Sequence, residues 1–160
     1  MAKSKEEKTN VMRTLEQKKI PYTAHSYDPE GPIDGVSVAQ TLGQPPEQVF
    51  KTLVTKGASG AYYVFDIPVA ENLDLKKAAK AVGEKSVAML PQKELLPLTG
   101  YVHGGCSPVG MKKQFSTVFH ETALLYGTVC VSAGKIGHQV ECDPNALIAL
   151  LRAKTADVIV

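Results

Sequence analysis

The chain has 160 residues, with 18 Lys and Arg against 16 Asp and Glu and a formal charge of +2. That length suits one domain with a core of its own, and 44% hydrophobic with 21% charged residues excludes a disordered chain. No apolar run approaches the ~20 residues of a bilayer-spanning helix, and the charge is too small to mark a nucleic-acid binder by itself.

The opening Met-Ala-Lys-Ser-Lys-Glu-Glu-Lys has no apolar segment behind its lysines, so no secretory signal and no membrane partner is expected and the chain reads as cytoplasmic. From Lys5 to Ile20, the apolar residues Val11, Met12, Leu15 and Ile20 recur at helical spacing, which predicts an amphipathic helix stopped by Pro21. Tyr22 to Tyr27 alternates as a strand, and Asp28 to Pro32 reads as a loop. Val36 to Leu42 predicts a short helix ended by Gly43, and Pro45-Pro46-Glu47 opens another helical turn. Val49 to Val54 and Ala61 to Ile67 predict two strands joined by a loose turn over Lys56 to Gly60.

Leu75, Ala78, Ala79 and Val82 line one face of a predicted helix over Leu73 to Val82, with Asp74 at its start and Gly83 after its end. Pro91 to Leu96 predicts a further helix. Thr117 to His120, Thr128 to Ser132 and Gln139 to Cys142 predict strands, and Asp143 caps a last helix over Asn145 to Arg152. Hairpin pairs without strict alternation exclude an all-parallel sheet. The expected fold is α+β or mixed α/β, a single domain over 1–160 built on a twisted sheet, either open or curled into a barrel.

Common catalytic patterns are missing. Gly100 to Gly110 lacks the ending of a phosphate loop, and no glycine-rich turn leads from a strand into a long helix as dinucleotide binding requires. Gly105-Cys106-Ser107-Pro108-Val109 starts like a nucleophile elbow but ends in Val109. Cys106, Cys130 and Cys142 are too far apart for a zinc knuckle or redox pair and read as buried or half-buried free thiols. His25, His103, His120 and His138 are scattered without metal-ligand spacing, so neither metal nor cofactor is expected.

Two features remain. Gly104 and Gly105 before Ser107-Pro108 make either a plain surface loop or a nest of backbone N–H groups suited to a carbonyl oxygen or anion. Lys51 sits in the apolar strand segment Val49-Phe50-Lys51-Thr52-Leu53-Val54, where it either snorkels at a strand end or is held for binding or catalysis. Lys135 reads as an exposed turn lysine. Lys112, Lys113 and Lys135 form one modest basic set. The first nineteen residues hold another, with six Lys or Arg (Lys3, Lys5, Lys8, Arg13, Lys18, Lys19) against three Glu, which suits weak, salt-sensitive contact with a phosphate backbone.

Phe50-Lys51-Thr52-Leu53, Leu73 to Ala81, Thr99 to Gly110 and Val131-Ser132-Ala133-Gly134-Lys135 together resemble the YbaK group of aminoacyl-tRNA deacylases. The likeness runs in order from about Tyr22 to the last helix. It implies a barrel-like mixed sheet surrounded by helices, an editing pocket related to the insertion domain of bacterial prolyl-tRNA synthetase, and hydrolysis of tRNA(Pro) mischarged with cysteine, with prolyl-tRNA synthetase as an accompanying partner. By match, Lys51 is the lysine of the active pocket, and Gly104 or Gly105 is the loop glycine near the substrate carbonyl. Tyr27, Thr52, Ser107, Pro108 and Ser132 are the implied substrate-binding residues. The turn departs from the group at Ala133, where Gly is usual, and at Gln139, where an Asp is common, so no acidic pocket residue is carried over.

Ester hydrolysis needs an attacking group, and no His is placed beside Cys106 by the sequence. The resemblance implies that the substrate's own thiol attacks its ester, while Lys51 and the Gly104-Gly105 turn hold the reacting group. A deacylase for another small residue, such as Ala-tRNA(Pro), and a module that binds a tRNA 3′ end or a nucleotide without turnover are the competing expectations.

Overall fold

The computed structural model describes residues 8–160, so the expected helix start at Lys5, the basic residues Lys3 and Lys5 and the opening read as carrying no secretory signal lie outside the described residues. The first helix, α1, spans Asn10–Gln17, capped by the Thr9 side chain, which accepts from the Met12 N–H. It buries Val11, Met12 and Leu15, the apolar stripe expected from their spacing. Strand β1 (Tyr22–Ser26) follows, then α2 (Gly35–Leu42) with Asp34 as its cap. A 3₁₀ turn over Pro46–Gln48 delivers the chain into β2 (Phe50–Gly57), which pairs antiparallel with β3 (Tyr62–Pro68).

Helix α3 (Leu75–Val82) starts later than expected because Asp74 is its cap, accepting from the Lys76 and Lys77 N–H groups at 3.0 and 3.1 Å. Leu73 instead bridges to Ile159. Replacing such a cap by Ala costs about 1 kcal/mol. Strand β4 (Val87–Met89) leads into α4 (Gln92–Thr99), which continues past Pro97. The proline removes only its own donor, while the Thr99 hydroxyl donates to Leu95 O at 2.7 Å and Gly100 N–H donates to Leu96 O at 2.9 Å. Then come β5 (Ser116–His120), a 3₁₀ segment (Glu121–Leu125), β6 (Val129–Ser132), β7 (His138–Cys142), α5 (Pro144–Leu151) and β8 (Lys154–Ala156).

The mixed α+β architecture read from the sequence is present. The strands form an antiparallel sheet in the order β1-β7-β6 and a mixed sheet in the order β4-β2-β3-β5-β8. The two sheets meet where Val49, just before β2, bridges to Cys130 of β6. Strands β4 and β8, not foreseen, are the three-residue edges of the larger sheet.

Four apolar clusters fix this arrangement, one of them (Ala39, Val49, Val69 and Cys130) where the sheets meet. Val11, Leu15, Phe119, Val129, Val131 and Leu147 join α1 and α5 to the smaller sheet. Phe65, Ile67, Ala78, Ala79 and Val118 seat α3 on one face of the larger sheet. Val54, Val64, Cys106 and Phe115 pack the other face under the chain that follows α4. Each fully buried Val, Leu or Phe stabilises the fold by about 1.5–3 kcal/mol over its exposed state. The junction of the two sheets leaves the start of β2 accessible.

Candidate functional site

A cavity of about 360 Å³ lies at that junction. Its walls are the first half of β2, the end of β6, the start of β7, the Tyr27 to Val38 region and the loop after α4. Lys51, Thr52, Tyr27, Ser132 and Gly104 all line it. Residues alternate across a strand, so Lys51 and Thr52 leave β2 on opposite sides. Both residues line the cavity at the start of the strand.

The Lys51 side chain is half-buried and makes no hydrogen bond or ion pair among the described residues. Burial lowers its ammonium pKa, and the charge of Glu71 offsets part of that effect. The site thus holds a cation whose donors are uncommitted. Asp34 is on the cavity wall as well, with its carboxyl held below its usual range by hydrogen bonds from Ser37.

The glycine loop is braced from behind. Tyr101 OH donates to Val109 O at 2.5 Å, and Val109 N–H donates to Ser107 Oγ at 3.2 Å. Ser107 and Pro108 are buried in the base of the loop and are not part of the cavity wall. Gly105 N–H donates to Val102 O at 3.0 Å, so this donor is spent in the turn. Gly104 lines the cavity at φ +88°, and its N–H has no partner among the described residues. A Cβ there would lie 2.9 Å from Ile33 Cδ1, so glycine keeps both the turn and the space open. Of the two glycines, Gly104 is the one that brings an uncommitted N–H to the cavity wall.

Ser132 Oγ accepts the Gly134 N–H at 3.1 Å and braces the turn between β6 and β7. Gln139, where the resembling group commonly has an acid, is buried and exchanges hydrogen bonds with Gln44 at 2.7 and 3.1 Å. This reciprocal amide pair satisfies a buried polar wall without charge. His103 and His138, read from sequence as isolated histidines, also line the cavity. Only the fold brings them there; no spacing in the chain signals it. Among the described residues no group of three His, Cys, Asp or Glu side chains could hold a metal ion.

Beneath the floor lies a carboxyl that sequence reading passed over. Asp66 of β3 is fully buried, and its Oδ1 accepts the Thr52 hydroxyl at 2.6 Å. Burial raises its pKa to about 7, and the Thr52 bond only partly opposes that. Cys106 is beside it, its thiol pushed up to about 12 by burial, with the Asp66 charge adding to the shift. A thiol so far from ionisation is no nucleophile near neutral pH.

Residues 34–150 match the family model for the aminoacyl-tRNA editing domain. The chain is 47% identical over 160 residues to EbsC of Enterococcus faecalis, a candidate Cys-tRNA(Pro)/Cys-tRNA(Cys) deacylase, covering 99% of this chain and 98% of that protein. A crystal structure of a candidate trans-editing enzyme for prolyl tRNA synthetase superposes with a TM-score of 0.81 at 28% identity, over 94% of each chain. The hypothetical protein APE2540 shares the fold, with a TM-score of 0.86 at 23% identity over 94% of this chain and 99% of that one.

Proposed function

The chain belongs to the aminoacyl-tRNA editing domain family, and on that footing we propose that it hydrolyses the ester of tRNA(Pro) mischarged with cysteine. The carrying observation is that Lys51, with uncommitted donors, and Gly104, with an uncommitted N–H, line one cavity. Its volume of about 360 Å³ is at the small end of ligand pockets, which run to roughly 300–1,000 Å³. That suits an aminoacyl group and its terminal ribose.

The cavity presents no ionised protein thiol, so the attacking group comes from the substrate. The cysteinyl thiolate adds to its own ester carbonyl carbon, and the carbonyl electron pair moves onto oxygen. Gly104 N–H donates to that developing oxyanion. Collapse re-forms the carbonyl and breaks its bond to the ribose oxygen, which takes up the proton the thiol has released. Water then opens the cyclic thioester to free cysteine. Lys51 anchors the terminal phosphate or ribose and holds the ester in the attack conformer. Tyr27 and Ser132 shape the walls, while Gly105, Ser107 and Pro108 support the loop that presents Gly104.

The name of the Enterococcus relative covers cysteine carried on either of two tRNAs. That supports a site that reads the aminoacyl end, with prolyl-tRNA synthetase as the partner that supplies tRNA(Pro). A role in translation supports a cytoplasmic location. No helix among the described residues is long and apolar enough to cross a membrane.

The test is deacylation of Cys-, Ala- and Ser-charged tRNA(Pro), each with and without prolyl-tRNA synthetase. Cysteine is expected to be released fastest and serine far more slowly, since a hydroxyl is the weaker nucleophile near neutral pH. Faster release of alanine would transfer the reading to a water-driven deacylase. Binding without any release would make the protein a non-catalytic module.

A further inference from the structure

The mechanism leaves unused a side chain that is costly to keep. Asp66 lies in the centre of the larger sheet at 0% exposure, and its Oδ2 has no hydrogen-bond partner among the described residues. A buried carboxyl with one free oxygen destabilises the fold unless something offsets it. Its one partner is Thr52, directly opposite on β2 and itself part of the cavity wall.

The hydrogen-bond inventory of a hydroxyl gives this pairing a consequence. Threonine has one hydrogen to donate and two lone pairs that accept. While Asp66 is ionised it can only accept, so the Thr52 hydrogen is committed to it. Toward the cavity the Thr52 oxygen then offers acceptance alone. Once Asp66 is protonated it can donate to Thr52 instead, and the Thr52 hydrogen is released.

We propose that Asp66 is a positioning residue for the aminoacyl end: by holding the Thr52 hydrogen it makes the cavity floor an acceptor and favours substrates that present a hydrogen-bond donor there. The α-ammonium of the aminoacyl group and a ribose hydroxyl are the two donors such a substrate carries. This inference deepens the deacylase reading and rests on it for the identity of the ligand.

The surroundings leave Asp66 as the titrating group of the pair. Strand β2 presents Thr52, while Lys51 leaves that strand on the other side. Strand β5 presents Phe119 in register with Asp66. The glycine loop presents Cys106, whose thiol is neutral with a pKa of about 12. With its carboxyl titrating at about 7, Asp66 would change the floor from donor to acceptor across the neutral range.

The experiment measures binding of 3′-cysteinylamido-3′-deoxyadenosine, an amide that cannot be cleaved as an ester. Two companions lack either the α-amino group or the 2′-hydroxyl, and affinities are read by calorimetry from pH 5.5 to 7.5. The wild-type protein is expected to prefer the complete analogue over one companion by roughly tenfold or more at pH 7.5. That companion identifies the donor, and the preference should collapse toward pH 5.5. Asp66→Asn should show a preference that no longer changes with pH, whichever way its amide settles. Thr52→Val should lose the preference at every pH, and Thr52→Ser should keep it.

Equal wild-type affinity for all three analogues, or an Asp66→Asn preference that still follows pH as in the wild type, overturns the inference. Release of cysteine from Cys-tRNA(Pro) is scored separately. Preference without release upholds the role of Asp66 and sinks the deacylase reading. Release without an Asp66-dependent preference does the reverse.

Discussion

Asp66 Oδ1 and Thr52 Oγ1 face each other across paired strands at 2.6 Å, joining a carboxyl sealed from solvent to a residue of the cavity wall. One neutral hydrogen bond does not offset the desolvation of a carboxylate, which is why the acid holds its proton so far up the pH scale. The sheet would be firmer with a hydrophobic residue at this position. A polar pair placed directly behind a cavity is a sacrifice of stability at a functional surface.

That sacrifice has a pH signature. Folding raises the Asp66 pKa from 3.8 to about 7, so across that interval the folded chain binds more protons than the unfolded one. Its contribution is therefore fully present below about pH 4 and is lost as pH rises through 7. Roughly three pKa units correspond to about 4 kcal/mol. Urea unfolding of the wild type and Asp66→Asn from pH 4 to 8 should show their difference in stability changing by this order. Parallel profiles would mean that Asp66 does not titrate as its burial demands.

Cys106 tests where the nucleophile comes from. Its thiol packs with Val54, Val64 and Phe115, and burial keeps it neutral. Cys106→Ala should retain most of the Cys-tRNA(Pro) deacylation while losing about 1 kcal/mol of stability from the small void. Total loss of activity in a folded variant would put the nucleophile in the protein and overturn the substrate-thiol scheme.

Much of the fold is legible locally, and much of the site is not. Helix α1 follows from Val11, Met12 and Leu15 at helical spacing, and α5 from Asp143-Pro144 before an apolar run. Strands β4 and β8 have too few residues for a period and exist because β2 and β5 offer edges to pair with. Lys51 is conspicuous in sequence as a charge within an apolar strand. Asp66 is just as anomalous within Tyr62–Pro68, yet its burial depends on β2 and β5 flanking it. The absent acid at Gln139 is visible in sequence, whereas its partner Gln44 is 95 residues away. Tertiary placement alone brings His103, His138 and Asp34 to the cavity.

Lys51 carries the positive charge of the proposed attack geometry. Removing one charge-bearing contact of this kind lowers kcat/KM on the order of 10²-fold. Lys51→Ala should therefore lose most deacylation, with little loss of stability because the side chain is half-buried and unbonded. Lys51→Arg keeps the charge but replaces a compact ammonium with a planar fork, so partial activity is expected. Single-turnover assays on Cys-tRNA(Pro) measure both. Lys51→Ala within about threefold of the wild type would remove Lys51 from the mechanism.

Gly104 carries two separable constraints, and substitution distinguishes them. Its φ of +88° is strained for any residue with a Cβ, at a cost of about 1 kcal/mol or more. The same Cβ would meet Ile33 Cδ1 at 2.9 Å, a clash with the end of a side chain that can be trimmed. Gly104→Ala should lower both the melting temperature and the rate, because a shifted turn moves the N–H away from the carbonyl oxygen. Adding Ile33→Ala to Gly104→Ala removes the clash but not the backbone strain. If the N–H placement controls the chemistry, this double variant should recover stability in part and leave deacylation depressed relative to Ile33→Ala alone. Recovery of the rate to the level of Ile33→Ala would show that space, and not the Gly104 donor, is what the loop provides.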